Sequence, residues 1–199
     1  LEAENSVTRS NDGRVHPSGA LWVGTMGLNA EAKAGTIYHC FQGEVTALFP
    51  DITIPNAISF SPDGDTAYFA DTADGRLMQV AIDKKTALPI ADPSVLYDHR
   101  GQAGGLDGAV VDAKGDIWVA CWGASAVHHI GSNGALINTI KVPVTQPTCT
   151  CFVGRNLDRL LVTSAWQGKP APADTKGDAG KTLLLDIEIC GKAEPRVLL

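Results

Sequence analysis

The sequence predicts an all-β protein built as a β-propeller. One pattern recurs four times: a polar residue, a short apolar run, a turn, and a second alternating run. The copies start at positions 11, 56, 107 and 148, which lie 45, 51 and 41 residues apart. A period of this length carried by short strands is that of a blade of four antiparallel strands. The chain also holds 21 glycines and 11 prolines, the residues that close tight turns. No segment sustains a helical period, and the stretch from Ala30 to Ala34 is too short for a helix. A β-sandwich would supply strands too, but it does not require the polar start, the turn and the aromatic strand to recur together.

Each copy justifies its own hairpin. The first runs from Asn11 through Val15, a turn at His16-Pro17-Ser18-Gly19, and Leu21-Trp22-Val23. The second runs from Asn56 through Phe60, the Ser61-Pro62-Asp63-Gly64 turn, and Tyr68-Phe69. The third runs from Asp107 through Val110-Val111, the Ala113-Lys114-Gly115 turn, and Ile117-Trp118-Val119. The fourth is weaker: Thr148 through Phe152, Arg155-Asn156-Leu157-Asp158, then Leu160 to Thr163. A second hairpin follows in the first copy, Thr36–Phe41 and Val45–Phe49 about Gln42-Gly43. Another follows in the third, Ser125–Ile130 and Leu136–Val142 about Ser132-Asn133-Gly134.

The composition narrows the function. Of 199 residues, 44% are hydrophobic and 19% charged, enough apolar side chain for a sizeable core. The formal net charge is −6 and no basic stripe is present, which argues against a nucleic-acid partner. No run approaches the roughly 18 apolar residues of a membrane helix. The five cysteines, Cys40, Cys121, Cys149, Cys151 and Cys190, match no zinc spacing and no dense disulfide framework. With no basic start and apolar run over residues 1–15, the expectation is a cytoplasmic protein with reduced thiols.

A propeller gives the repeat a chemical consequence. The first strand of each blade lines the central channel, so residues at one repeat position form a ring. Asn11, Asn56, Asp107 and Thr148 hold that position. Amide and carboxylate oxygens converging there make a hard-oxygen site for Ca²⁺, Mg²⁺ or Mn²⁺, with Zn²⁺ also accommodated. Taken singly, Asn11-Asp12-Gly13 and Asp107-Gly108 are ordinary turn sequences. Only their shared repeat position argues for more.

These residues resemble the SMP-30/gluconolactonase family, which includes regucalcin and sugar lactonases. The resemblance rests on Arg9-Ser10-Asn11-Asp12-Gly13 with Leu21-Trp22-Val23-Gly24-Thr25-Met26, on Ile54-Pro55-Asn56 with Ser61-Pro62-Asp63-Gly64, and on Leu106-Asp107-Gly108 with Asp116-Ile117-Trp118-Val119-Ala120. Gln146-Pro147-Thr148 with Leu161-Val162-Thr163-Ser164-Ala165 completes it. It covers nearly the whole chain, in order.

The resemblance implies a six-bladed propeller, about four blades of which fall in this chain. It also implies one divalent cation at the channel mouth (Ca²⁺ or Zn²⁺, with Mg²⁺ and Mn²⁺ as alternatives) and hydrolysis of an aldonolactone by activated water. The family's metal ligands are a Glu, an Asn and an Asp, and the last two fall on Asn56 and Asp107. Its substrate contacts fall on Arg9 and Asn11, and Asp107 is the candidate to assist proton transfer. A calcium-binding propeller without turnover is the alternative.

Three departures accompany the resemblance. The blades ahead of the first copy, with the Glu ligand, are expected to be missing from this chain, since Glu2 and Glu4 stand too close to Arg9 to replace it. The family's Gly after the metal-binding Asn is Ala57, expected to be tolerated in a β conformation. Asn29, with Glu31 nearby, stands where animal members carry a substrate-contacting Glu.

The remaining candidates have structural expectations. Trp22 and Trp118 occupy equivalent positions and should pack between blades. His128 and His129 should point to opposite faces of one strand and so cannot share a metal. Cys149 and Cys151 should share a face and pack near the channel. His99 and Arg100 lie in a Gly-rich loop, read as solvated, with substrate gating as the other reading. Gln167 to Gly180 reads as a long surface loop or lid.

Overall fold

The computed structural model describes residues 1–168 and 177–198. Among these there is no helix, and fifteen strands follow one another: β1 (Thr8–Val15), β2 (Leu21–Gly27), β3 (Gly35–Phe41), β4 (Glu44–Ile52), β5 (Pro55–Phe60), β6 (Thr66–Asp71), β7 (Arg76–Ala81), β8 (Ser94–Asp98), β9 (Gly105–Val111), β10 (Ile117–Trp122), β11 (Ala126–Ile130), β12 (Leu136–Lys141), β13 (Pro147–Val153), β14 (Arg159–Ser164) and β15 (Leu183–Leu185). They form four antiparallel meanders: β1-β2-β3-β4, β5-β6-β7-β8, β9-β10-β11-β12 and β13-β14-β15. These are the blades that the repeat predicts. The inner hairpins follow the four sequence copies. The expected outer hairpins of the first and third copies are β3–β4 and β11–β12. The sequence showed no hairpin for β7–β8, whose strands are joined by a long connection that pairs Ile82 with Pro89.

Burial falls from the inner strand outwards. All six residues of β5 are buried, whereas most of β4 and β12 is exposed. A strand covered on both faces reads as continuous apolar sequence, and an outer strand as a mixed one. The inner turns recur for a backbone reason. Gly19, Gly64 and Gly115 have φ of +93°, +73° and +91°, in the left-handed region where a Cβ would clash. The fourth turn places Leu157 at φ +54° instead, which is why that copy reads as weaker.

The chain divides into two compact units, one of Leu1–Asp98 with the segment from Glu194 onward, and one of His99–Ala193. In the first, Trp22, Ile37, Ile58, Phe60 and Phe69 form the core where the first two blades pack together. The Trp22 indole donates to the Ala87 carbonyl at 3.0 Å and meets Phe60 edge-on. The segment from Glu194 returns to this unit: Arg14 pairs with Glu194, and Leu198 donates its amide to Gly19. In the second, Trp118, Val110, Val127, Phe152 and Leu160 form the core between the third and fourth blades. Both tryptophans therefore pack between blades, as their repeat position implied.

Every inner strand is bulged at or beside the repeat-start residue. Between the pairs Ser10↔Thr25 and Gly13↔Val23, Asn11 and Asp12 face Gly24 alone. Between Asn56↔Ala70 and Ser59↔Tyr68, Ala57 and Ile58 face Phe69. Between Leu106↔Cys121 and Ala109↔Val119, Asp107 and Gly108 face Ala120. In the fourth blade the extra residue is Thr148. A bulge re-aims the side chains at it. The expectation for Ala57 is corrected here: it is not in a β conformation but has φ +54°. The bulge demands the left-handed backbone that explains glycine at this position in the family.

Candidate functional site

In the first unit the bulges bring Arg9, Asn11 and Asn56 into one hydrogen-bonded run. Arg9 Nη1 donates to Asn11 Oδ1 at 3.0 Å and to the Ser10 carbonyl at 2.9 Å. Asn11 Nδ2 donates to Asn56 Oδ1 at 3.1 Å and to the Pro55 carbonyl at 2.9 Å. Asn56 Nδ2 donates to Thr72 Oγ1 at 2.8 Å. Asn56 is buried, Asn11 half-buried and Arg9 exposed, so the run leads from the interior to solvent. Thr72, sixteen residues along the chain from Asn56, was not a sequence candidate; only the β5–β6 register puts it beside the amide. Its hydroxyl fixes the amide's orientation and turns the oxygen towards Asn11.

Asp12 holds the two bulges together. Its Oδ2 accepts the Ile58 amide at 2.9 Å, and its Oδ1 the Gly13 amide at 2.9 Å. Burial pushes its carboxyl up to about 6, against the opposing pull of the two amides and Arg14. Asp12 stands inside the motif that carried the resemblance, yet had no role there, because its partner is forty-six residues away. Asp71 performs a similar service before Asn56, accepting the Thr53 and Ile54 amides at 2.8 and 3.0 Å.

In the second unit Asp107 is half-buried on β9 beside Cys121. Burial pushes the Cys121 thiol up to about 12, an amide bond at His128 opposes it, and the Asp107 charge adds to it. Gly108 lies hard against the fourth blade: a Cβ there would sit 2.5 Å from Cys149 Sγ and 2.9 Å from the Thr148 carbonyl. Thr148 shares a 2.7 Å hydrogen bond with Thr163. Within each unit, the neighbouring repeat-start residues are thus brought side by side.

The other candidates fall as follows. Asn29 donates through its amide and its side chain to Glu31, at 3.0 and 2.9 Å. The Asn29 side chain and nearby backbone amides hold the exposed Glu31 carboxyl below its usual range. Burial raises the Glu2 carboxyl, but bonds from Thr8, Tyr38 and Thr25 outweigh it and leave it low. His128 and His129 do point apart. His128 meets His99 edge-on, with ring centres 5.2 Å apart, and burial with that neighbour lowers it to about 4. His129 stacks on Trp118 instead. The solvated loop is corrected in one respect: Arg100 is exposed, but His99 is buried and bonds the Ala103 carbonyl. Cys149 packs against Gly108, whereas Cys151 is exposed, so packing does not account for it. All five cysteines are free thiols. Of the surface loop or lid, residues 169–176 lie outside the described residues.

Each unit offers an oxygen donor of the kind that Ca²⁺ and Mg²⁺ take: in the first, the buried Asn56 amide oxygen, oriented by Thr72, and in the second, the Asp107 carboxylate. Arg9 adds the planar donor fork that suits an oxygen-rich ligand.

A Rhizobium meliloti (strain 1021) protein provisionally named a sugar lactone lactonase is 55% identical over 193 residues, covering 96% of this chain and 66% of its own length. Regucalcin of Xenopus laevis is 32% identical over 178 residues, covering 84% of this chain and 58% of its own. The chain therefore spans less than two thirds of the length of these relatives. The crystal structure of a calcium-binding protein, regucalcin, from Agrobacterium tumefaciens str. C58 matches with a TM-score of 0.97 at 50% identity, over 100% of this chain and 68% of that one. The fold class is thus all-β, with four blades of a β-propeller. The profile of the SMP-30/gluconolactonase/LRE-like region matches residues 1–166, and the chain belongs to that family.

Proposed function

We propose that the protein hydrolyses the ring ester of a small sugar lactone, an aldonolactone such as gluconolactone. The observation that carries this reading is the run from Arg9 through Asn11 to Asn56, a line of sugar-type hydrogen-bonding groups that ends on a metal-type oxygen donor. Ion binding alone needs no arginine beside the cation. Related proteins bearing lactonase names support the substrate class.

Asn56 and Asp107 would hold one divalent cation, Ca²⁺ or Zn²⁺, with Mg²⁺ and Mn²⁺ as alternatives. Bound there, it would supply a Lewis acid for the lactone carbonyl and for a water. Asp107 accepts the proton of the attacking water through its second oxygen. Arg9 orients the sugar hydroxyls and donates to the oxyanion as it develops, and Asn11, whose two Nδ2 hydrogens go to Asn56 and Pro55, accepts from a sugar hydroxyl through Oδ1. Thr72 holds the Asn56 amide in the orientation this needs, and Asp12 holds the backbone under it. The free thiols fit a cytoplasmic setting.

The test is turnover of a panel of aldonolactones by the purified protein, with Ca²⁺ and with a chelator. Hydrolysis that the chelator abolishes and the cation restores is expected. Asp107→Ala should lower kcat/KM at least a hundredfold while the fold persists, and wild-type turnover in Asp107→Ala would sink the assignment. A second reading, cation binding without turnover, draws on the regucalcin description of the Agrobacterium relative. It would be chosen if the ion bound and no lactone were consumed.

A further inference from the structure

We propose that the third blade carries a second metal site, separate from the residues above, that takes a borderline transition-metal ion such as Zn²⁺ on Asp112, Asp116 and His129. One ligand atom of each lies within 4.8 Å of the others. They stand on the wall of a cavity of about 250 Å³ that Glu188 and Cys190 also line.

The fold does not require this set. Register makes Asp112, Asp116 and His129 the counterparts of His16, Ala20 and His39 in the first blade, and of Ser61, Thr66 and Gln79 in the second. The first residue of each triplet caps its turn. Asp112 Oδ1 accepts the Lys114 and Asp116 amides at 2.9 and 3.0 Å. His16 Nδ1 accepts the Ser18 amide at 3.0 Å, and Ser61 Oγ the Thr66 amide at 3.0 Å. A neutral group therefore suffices for the turn. Among the described residues, two carboxylates and an imidazole meet in this way in the third blade alone.

The geometry suits a small cation. His129 Nε2 and Asp116 Oδ2 are 3.0 Å apart. Donors bound at about 2.0–2.2 Å in a tetrahedral shell stand about 3.3–3.6 Å from each other, so the pair need open by only a few tenths of an ångström to take the ion. Asp112 Oδ2 accepts from the Trp118 indole at 3.0 Å and keeps lone-pair capacity for the ion. The His129 ring is held flat on Trp118, with centres 3.9 Å apart and planes 11° apart, so little side-chain freedom remains to be lost. The side chains of His129 and Asp116 are 17% and 20% exposed, which leaves an entry path. A nitrogen donor argues against Ca²⁺, which takes oxygens, and for Zn²⁺ or its Co²⁺ surrogate. Glu188, Cys190 or water completes the shell. The ion replaces the hydrogen that joins His129 to Asp116: a neutral imidazole then carries its proton on Nδ1, and an imidazolium gives one proton up.

The experiment is Zn²⁺ and Co²⁺ titration of the purified full protein, followed by calorimetry and tryptophan fluorescence. Expected are one Zn²⁺ retained in Asp107→Ala, and quenching by Co²⁺ that Trp118→Phe diminishes. A loss of Zn²⁺ affinity of at least tenfold is expected in both His129→Gln and Asp116→Asn. Affinity within threefold of wild type in both variants, with unchanged circular dichroism, overturns the proposal. Should the variants fail to fold, zinc-edge anomalous diffraction from wild-type crystals soaked in Zn²⁺ decides. A peak between His129 and Asp116 is expected, and its absence refutes the site.

Discussion

Ala57 shows how a single residue carries the constraint of the bulge. An L-residue in the left-handed region costs about 1–2 kcal/mol. Its methyl is wholly buried, worth about 0.8 kcal/mol, and glycine would add backbone entropy to the unfolded chain, about 0.4–1 kcal/mol. The opposing terms nearly cancel, which explains how alanine persists. Ala57→Gly should therefore change stability by less than about 1 kcal/mol in urea unfolding. Ala57→Val, β-branched at the same φ and at a fully buried position, should cost more than about 2 kcal/mol. Asp12 titrates in the opposite sense to most carboxylates. Its folded-state value, about 6, lies above the ordinary carboxylate value of 3.8. Its contribution is present below about pH 4 and is lost as the pH rises through 6. Asp12→Asn removes that dependence. The stability of wild type relative to Asp12→Asn should fall by about 2 kcal/mol from pH 4 to pH 7, most of the value of some two pK units; thermal melts of both proteins across that range would show it.

At the scale of the element, strands of neighbouring blades pack so closely that Gly24 on β2 and Gly108 on β9 act as spacers. A Cβ on Gly24 would stand 2.4 Å from the Pro55 ring, and one on Gly108 would meet both the Cys149 side chain and the Thr148 carbonyl. Neither glycine has a left-handed φ, so the requirement is room rather than conformation. Gly24→Ala and Gly108→Ala should each destabilise by about 1–3 kcal/mol, read as a lower midpoint in denaturant with unchanged slope. The strand pattern itself was legible from alternation and turn chemistry. The bulges were not, because an extra residue in one strand leaves no mark on composition and shows only against the partner's register. His129 illustrates the same limit: its neighbour His128 told which face it takes, but Asp116 and Asp112 reach it through a hairpin and a turn.

At the scale of the whole molecule, a bound cation should register as stability. Ca²⁺ or Zn²⁺ at a hundred times its Kd adds about 2.7 kcal/mol, which for a chain of this size raises Tm by about 5–10 °C. Differential scanning calorimetry should show that rise, its reversal by chelator, and a diminished response in Asp107→Ala. The membrane question stands as the sequence left it: no helix among the described residues is long and apolar enough to cross a bilayer.

The sequence by itself determined the class of fold. Spacing of the four copies, turn glycines and alternating strands are local properties, written within a few residues and readable there. It also determined that Asn11, Asn56 and Asp107 are repeats of one position. What only the tertiary structure decided is how those positions work. The orientation of the Asn56 amide depends on Thr72, the carboxyl of Asp12 on the Ile58 amide, and the left-handed turn at Ala57 on pairing with β6. Each is a contact between segments distant along the chain, fixed by hydrogen-bond register and desolvation, neither of which any stretch of sequence expresses alone.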